Sequence, residues 1–154
     1  MEKLQFRVSI DAPREKVWEV LWNDVSYSDW TSGFGEGSRV KTDWKKGSKV
    51  LFLGATDEGM LSMIEDNIPN EFMSFKHLGM IKDGVEDVTS DKVKEWNGAL
   101  ENYTLKNVNG KTELTVDMDI TSAHKDHFQE IFPKALNRVK ELAEKSKVAA
   151  TSNV

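Results

Sequence analysis

The chain has 154 residues and a formal net charge of −5 at pH 7, which disfavours nucleic-acid binding because such a surface needs basic groups that neutralise phosphates. It contains no cysteine, so disulfides, thiol nucleophiles and thiolate metal sites are excluded. No apolar run reaches the roughly 18 residues of a membrane span, and the N-terminus lacks the apolar core of a signal peptide. We therefore expect a cytoplasmic protein without a membrane span and with no nucleic-acid partner.

A first strand is predicted where apolar and polar residues alternate strictly from Leu4 to Ile10. It ends before Pro13, a residue that suits the first turn of a helix. This first short helix is expected to end near Asn23. A second short helix is predicted over residues 26–31, where it places Trp30 beside a glycine-rich loop.

The middle of the chain has the pattern of an antiparallel meander, with strands separated by turns that contain glycine, proline or asparagine. The predicted strands cover residues 39–44, 50–55, 60–65, 71–81, 99–105 and 113–120. Residues 82–97 are the longest polar stretch, and we expect them to leave the sheet edge, where they could act as a lid.

The C-terminal segment carries apolar residues at spacings of three and four from Phe128 to Ala143, which predicts a long amphipathic helix. Its apolar stripe requires a sheet to pack on. The fold class is therefore α+β, with a curved antiparallel sheet of about six to seven strands wrapped around this helix and two short helices after the first strand. One domain is expected over residues 1–147, followed by a flexible tail at 148–154.

Several segments resemble a known superfamily. The segment Ile10-Asp-Ala-Pro-Arg-Glu-Lys-Val-Trp-Glu-Val-Leu21, followed by Trp30, resembles the opening of the START-like (SRPBCC) superfamily, which implies the helix-grip fold. Four further segments resemble its bacterial branch related to the C-terminal domain of the activator of heat-shock-protein-90 ATPase: residues 44–50, 68–72, 101–105 and 132–143. The superfamily includes lipid carriers, hormone receptors, cyclases and dehydratases, so the resemblance implies a fold more specifically than an activity.

A cavity between the sheet and the C-terminal helix is the first candidate site. The chain has five Trp and six Met, residue types that often surround apolar ligands. If the predicted faces hold, nine side chains line this cavity, with Tyr103 as a polar handle: Trp30, Trp44, Phe52, Met63, Phe75, Trp96, Tyr103, Phe128 and Phe132. The alternative is that these side chains pack on one another and leave no space.

Glu101 is the second candidate, because alternation places this carboxylate on the inward face of its strand beside Tyr103. A buried carboxylate needs a partner. It could orient a polar ligand group, act as a base, or bond to Tyr103, a tryptophan N–H or a lysine for structural reasons. His77 lies on a strand and could face either way; if it met Glu101, the two would form an acid–base pair.

We predict neither a metal site nor a cofactor. His124 and His127 have helical i, i+3 spacing, but this first turn of a helix is a common place for solvated polar residues. Three functions stay open. They are binding of an apolar or amphipathic small molecule without chemistry, interaction with a heat-shock-protein-90 homologue as the resemblance implies, and catalysis of the cyclase, dehydratase or hydrolase kind by Glu101 and His77. The aromatic and methionine content favours the first.

Overall fold

The computed structural model describes backbone elements for residues 1–152 and side chains for residues 1–145, so the tail expected at 148–154 lies outside the residues whose side chains are described. The strands are β1 Glu2–Ile10, β2 Arg39–Lys41, β3 Lys49–Leu53, β4 Gly59–Ile68, β5 Phe72–Lys82, β6 Val85–Asp87, β7 Leu100–Val108 and β8 Lys111–Ile120. The helices are α1 Arg14–Trp22, α2 Asp24–Trp30, α3 Asp91–Lys94 and α4 Ser122–Ser152, with a 3-10 turn at Ser32–Phe34.

All strand pairs in the sheet are antiparallel, in the order β1-β8-β7-β5-β4-β3-β2, with β6 added beside the end of β5. The predicted α+β class and helix-grip arrangement are confirmed, and the sheet has eight strands. The additional strand is β6, a three-residue segment within the polar stretch 82–97. Charged residues are frequent in that stretch, so it lacks the alternation of apolar and polar residues that would have predicted β6.

Local chemistry explains where the first helices begin. Pro13 is the N-terminal cap of α1 and has the extended backbone that precedes a helix. Helix α2 begins at Asp24, two residues earlier than predicted, because the Asn23 side chain accepts a hydrogen bond from the backbone N–H of Val25 at 3.1 Å. Tyr27 and Trp30 thereby lie one turn apart on the buried side of α2.

Helix α4 packs on β1 and on α1, and its apolar stripe completes the main core. Phe132 stacks on Phe6 of β1 with ring centroids 5.0 Å apart. On the same core, Leu136 and Val139 are fully buried. Arg138 forms two hydrogen bonds to the Asp29 carboxylate, at 2.7 and 2.9 Å, which join α4 to α2.

Residues 83–98 form an outer segment that begins with β6 at the sheet edge; after β6 it lies against the sheet face that turns away from α4. Leu61 and Gly79 are cross-strand partners, and they alternate with Met60 and Met80, which face the inner side. A Cβ atom at Gly79 would lie 2.1 Å from the carbonyl oxygen of Asp87, so only glycine lets this segment approach so closely. Residues 85–87 stay in the sheet as β6, so the expectation that residues 82–97 leave the sheet edge is correct only in part, and their action as a lid stays a prediction.

Candidate ligand cavity

A cavity of about 420 Å³ lies between α2, the first half of α4 and the inner face of strands β3, β4, β5 and β7. Six of the nine predicted side chains line it: Trp30, Phe52, Phe75, Tyr103, Phe128 and Phe132. Both Glu101 and His77 also line it. Met80 is 42% exposed on this lining, and together with the exposed Gly35 it marks the side that opens to solvent.

Aromatic rings form most of the inner wall and meet edge to face. Trp22 lies at the centre, with its ring centroid 4.9 Å from that of Tyr103 and 5.3 Å from that of Phe75. Phe52 meets Phe75 at 5.0 Å. Each such pair contributes about 0.5–1.5 kcal/mol beyond its buried area. The rings therefore hold one another in place while leaving space beside them.

Three predicted residues lie elsewhere. Met60 lies opposite Phe52 and shares its inner face. Met63, three residues further along β4, therefore lies on the outer face, where it pairs across the sheet with Lys49 and Lys76. Trp44 lies beyond the end of β2 at Lys41 and has a φ of 65°; its ring packs at 5.5 Å against Trp22 and does not line the cavity. Trp96 belongs to the outer segment 83–98 and does not line the cavity.

Several lining residues were not predicted from the sequence, notably Trp22, Tyr27, Phe34 and Met60. Tyr27 precedes Trp30 by three residues, so helical spacing could have placed both on one face. Phe34 lies in the 3-10 turn and packs on Phe132 with ring centroids 5.2 Å apart. No periodic signal predicts a turn residue such as Phe34, because its position depends on how the loop folds back.

A chain of hydrogen bonds crosses the polar part of the wall. The Ser62 hydroxyl lies 2.6 Å from His77 Nδ1, and His77 Nε2 lies 3.1 Å from Glu101 Oε1. The Tyr103 hydroxyl donates to Glu101 Oε2 at 2.5 Å. The His77 and Glu101 side chains are only 10% and 20% exposed. His77 thus faces inward and meets Glu101, an arrangement that alternation alone left open.

The electrostatics of this network keep the carboxylate charged. Burial acts to raise the pKa of Glu101, but the hydrogen bond and charge of His77, with the hydrogen bond from Tyr103, outweigh it and lower that pKa below its ordinary value of 4.5. Burial and the Glu101 charge raise the pKa of Tyr103 well above its ordinary range. Burial, followed by the charge of Glu101, also raises the pKa of Tyr27. The wall therefore presents one carboxylate and two protonated phenols.

The order Ser62–His77–Glu101 has the residue types of a hydrolase triad but not its accessibility. Ser62 is fully buried behind His77 and does not line the cavity. A nucleophile must reach its substrate. Ser62 therefore orients the imidazole, and the groups that a bound molecule would touch are His77, Glu101 and the tyrosines.

Other polar groups of the lining are already hydrogen-bonded within the protein. Trp30 Nε1 donates to the Leu21 carbonyl at 3.1 Å, and the Thr31 hydroxyl donates to the Tyr27 carbonyl at 2.5 Å. The Ser38 hydroxyl donates to the Gly35 carbonyl at 2.8 Å. Within the part of the chain whose side chains are described, the Tyr27 hydroxyl has no hydrogen-bond partner, and neither does the buried Trp22 Nε1.

The two C-terminal histidines lie apart from this cavity. His124 Nδ1 is 2.8 Å from the Thr121 hydroxyl, and the His127 ring packs at 5.9 Å against Phe128. Across the described residues, no group of three or more histidine, aspartate or glutamate side chains is placed to hold a metal ion. No described helix is long and apolar enough to cross a membrane.

Comparison with known proteins supports the architecture. The sequence model of the family described as "Activator of Hsp90 ATPase homolog 1-like protein" matches residues 11–144. A search of the curated proteins gives no significant match. The family resemblance seen in the sequence is thereby confirmed.

Solved structures of similar shape come from several bacteria. The solution structure of the Aha1 dimer from Colwellia psychrerythraea has a TM-score of 0.71 at 18% identity, covering 94% of this chain and 97% of that chain. ChR145 from Cytophaga hutchinsonii has a TM-score of 0.68 at 20% identity, covering 96% and 97%. The AHSA1-like protein from Aeromonas hydrophila has a TM-score of 0.68 at 12% identity, covering 95% and 94%. At these identities the likeness concerns the fold alone.

Proposed function

Given that this chain belongs to the family of activator of Hsp90 ATPase homolog 1-like proteins, we propose that it binds an apolar or amphipathic small molecule in the cavity between the sheet and α4. The observation that carries the proposal is the cavity of about 420 Å³ with its aromatic wall. Ligand pockets typically measure about 300–1,000 Å³ and have apolar walls with a few polar groups. This cavity suits one small molecule. We propose that the protein acts in the cytoplasm.

The driving force is the removal of apolar surface from water, which stabilises a complex by about 25 cal/mol per Å² buried. Rings that are already packed edge to face lose little conformational freedom when a ligand enters. Such preorganisation lowers the cost of binding. Met60 and Met80 lie near the solvent side of the lining, where flexible thioether side chains adapt to ligands of different shapes.

Titration with a neutral fluorescent probe, N-phenyl-1-naphthylamine, tests this function. We expect saturable probe fluorescence together with quenching of tryptophan emission, because Trp22 and Trp30 line the cavity. The Met60→Trp variant fills the cavity and should weaken probe binding by about tenfold or more. Met63→Trp, three residues along the same strand on the outer face, is the matched control and should bind the probe as the parent does.

A larger side chain in a packed site can lower the free energy of unfolding by about 1–3 kcal/mol. Thermal unfolding of both variants therefore checks that each is folded. No saturable probe binding to the parent protein, or equal binding by Met60→Trp, would overturn the proposed function.

Catalysis by Glu101 and His77 is a second candidate, favoured by the 3.1 Å contact between them at the cavity wall. A general base works best when its pKa is near the working pH. The lowered pKa of Glu101 makes it a weak base and supports an orienting role instead. A screen of ester-hydrolysis, dehydration and cyclisation substrates tests this candidate; turnover that Glu101→Gln abolishes supports an enzyme, and turnover that it leaves unchanged contradicts it.

Interaction with a heat-shock-protein-90 homologue is the third candidate, favoured by the family to which the chain belongs. It predicts direct binding to the homologue from the same host and a change in the ATPase rate of that homologue. If calorimetry shows no binding and the ATPase rate stays constant, this candidate is wrong. Met60→Trp separates it from ligand binding, because a change inside the cavity should leave a protein–protein contact intact.

A further inference from the structure

The polar groups of the cavity differ in how much hydrogen-bonding capacity they have left. The side-chain donors of Trp30, Thr31 and Ser38 are all engaged with backbone carbonyls. A carboxylate offers about four lone-pair positions, and Glu101 uses two of them, for His77 and Tyr103. Acceptor capacity therefore remains on Glu101.

Tyr27 supplies the complementary donor. Its side chain lines the cavity and is only 8% exposed, and none of the described residues hydrogen-bonds its hydroxyl. Glu101 lines the same cavity, and no direct hydrogen bond joins it to Tyr27. A ligand group that reaches both side chains can therefore accept a hydrogen bond from Tyr27 and donate one to Glu101.

We propose, on the basis of the ligand-binding function above, that the ligand presents a neutral hydroxyl group, alcoholic or phenolic, to Glu101 and Tyr27. A hydroxyl is both a donor and an acceptor, so it matches both groups at once. A carboxylate ligand would place its charge beside that of Glu101, and like charges brought together at an interface are strongly unfavourable. An ammonium ligand would leave the Tyr27 donor without an acceptor and would lose its hydration in an apolar cavity.

Displacement of N-phenyl-1-naphthylamine by four molecules of equal chain length tests the proposal: decanol, decanoate, decylamine and decane. We expect decanol to displace the probe at concentrations about tenfold or more below those of decanoate, and below those of decylamine. Failure of the probe itself to bind would contradict the proposed function, whereas probe binding with a different order of displacement contradicts only this inference.

Two variants locate the selectivity. Tyr27→Phe removes one hydroxyl and should weaken decanol binding by about three- to tenfold while leaving decane binding unchanged. Glu101→Gln removes the charge and should reduce the preference for decanol over decanoate. Glu113→Gln on the outer face of the neighbouring strand β8 is the matched control and should keep the parent order.

Thermal unfolding checks that each variant is folded. The order in which the four ligands displace the probe is measured on the parent protein and does not depend on any variant. Decanoate or decylamine displacing the probe as well as decanol does, or a preference that survives both Tyr27→Phe and Glu101→Gln, would overturn the proposal.

Discussion

The two halves of the inner sheet face are built from the same kind of strand but filled differently. In the β1–β8 half, α4 packs directly on the sheet, and Ile10, Leu114 and Val116 are fully buried. In the cavity half, formed by β3, β4, β5 and β7, rings meet edge to face and leave about 420 Å³. Branched aliphatic side chains fill gaps closely, whereas rings of fixed shape hold a space open. The first half is the closely packed part of the core, and the second half leaves an open cavity.

Truncation of a side chain in each half gives the largest expected contrast. Leu114→Ala should lower the free energy of unfolding by about 2–5 kcal/mol, because it leaves a hole in close packing. Met60→Ala, at a partly exposed position beside the existing cavity, should cost about 1 kcal/mol or less. Urea unfolding measures both. Equal losses would show that the two halves are packed alike.

Removal of the Tyr103 hydroxyl sharpens the comparison within the cavity half. Tyr103→Phe keeps the ring and its contact with Trp22 but takes away the hydrogen bond to Glu101 Oε2. A hydrogen bond to a charged group contributes about 1.5–3 kcal/mol, so stability should fall by roughly that amount in urea unfolding. A loss as small as that of a surface substitution would mean that this bond has little structural role.

Acid should weaken the cavity half through Glu101. Its pKa is lower in the folded protein than its ordinary value of 4.5, so the unfolded chain binds the proton more readily. The resulting stabilisation is complete above pH 4.5 and is lost as the pH falls through the folded-state pKa. Glu101→Gln lacks this contribution, so the stability difference between parent and variant should shrink in that acid window. If the stability difference between the parent and Glu101→Gln does not change with pH, Glu101 is not the charged group that we infer.

The ion pair that ties α2 to α4 should have the smallest effect. Asp29 and Arg138 side chains are 38% and 39% exposed, so solvent screens their attraction despite the two short hydrogen bonds. Asp29→Asn should cost less than about 1 kcal/mol, and the loss should diminish at high salt. A salt-independent loss of several kcal/mol would show that the pair is effectively buried.

Alternation and helical spacing predicted the sheet, the long helix and the inward position of Glu101 and Tyr103, because these patterns follow from local backbone geometry. They gave the wrong face for Met63, since the face of a strand depends on its register with the neighbouring strand and hence on the turn between them. They also could not place His77. Its contact with Glu101 joins β5 to β7, with the whole outer segment 83–98 between them in sequence.

The position of β1 has a consequence for how the chain folds. Its nine residues pair only with β8, from Glu2 opposite Ile120 to Ile10 opposite Thr112, while the hairpins β3–β4, β4–β5 and β7–β8 are local. During synthesis the first strand therefore has no sheet partner until most of the chain has left the ribosome. Contacts of such sequence separation slow folding. We therefore expect the pairing of β1 with β8 to form after the local hairpins.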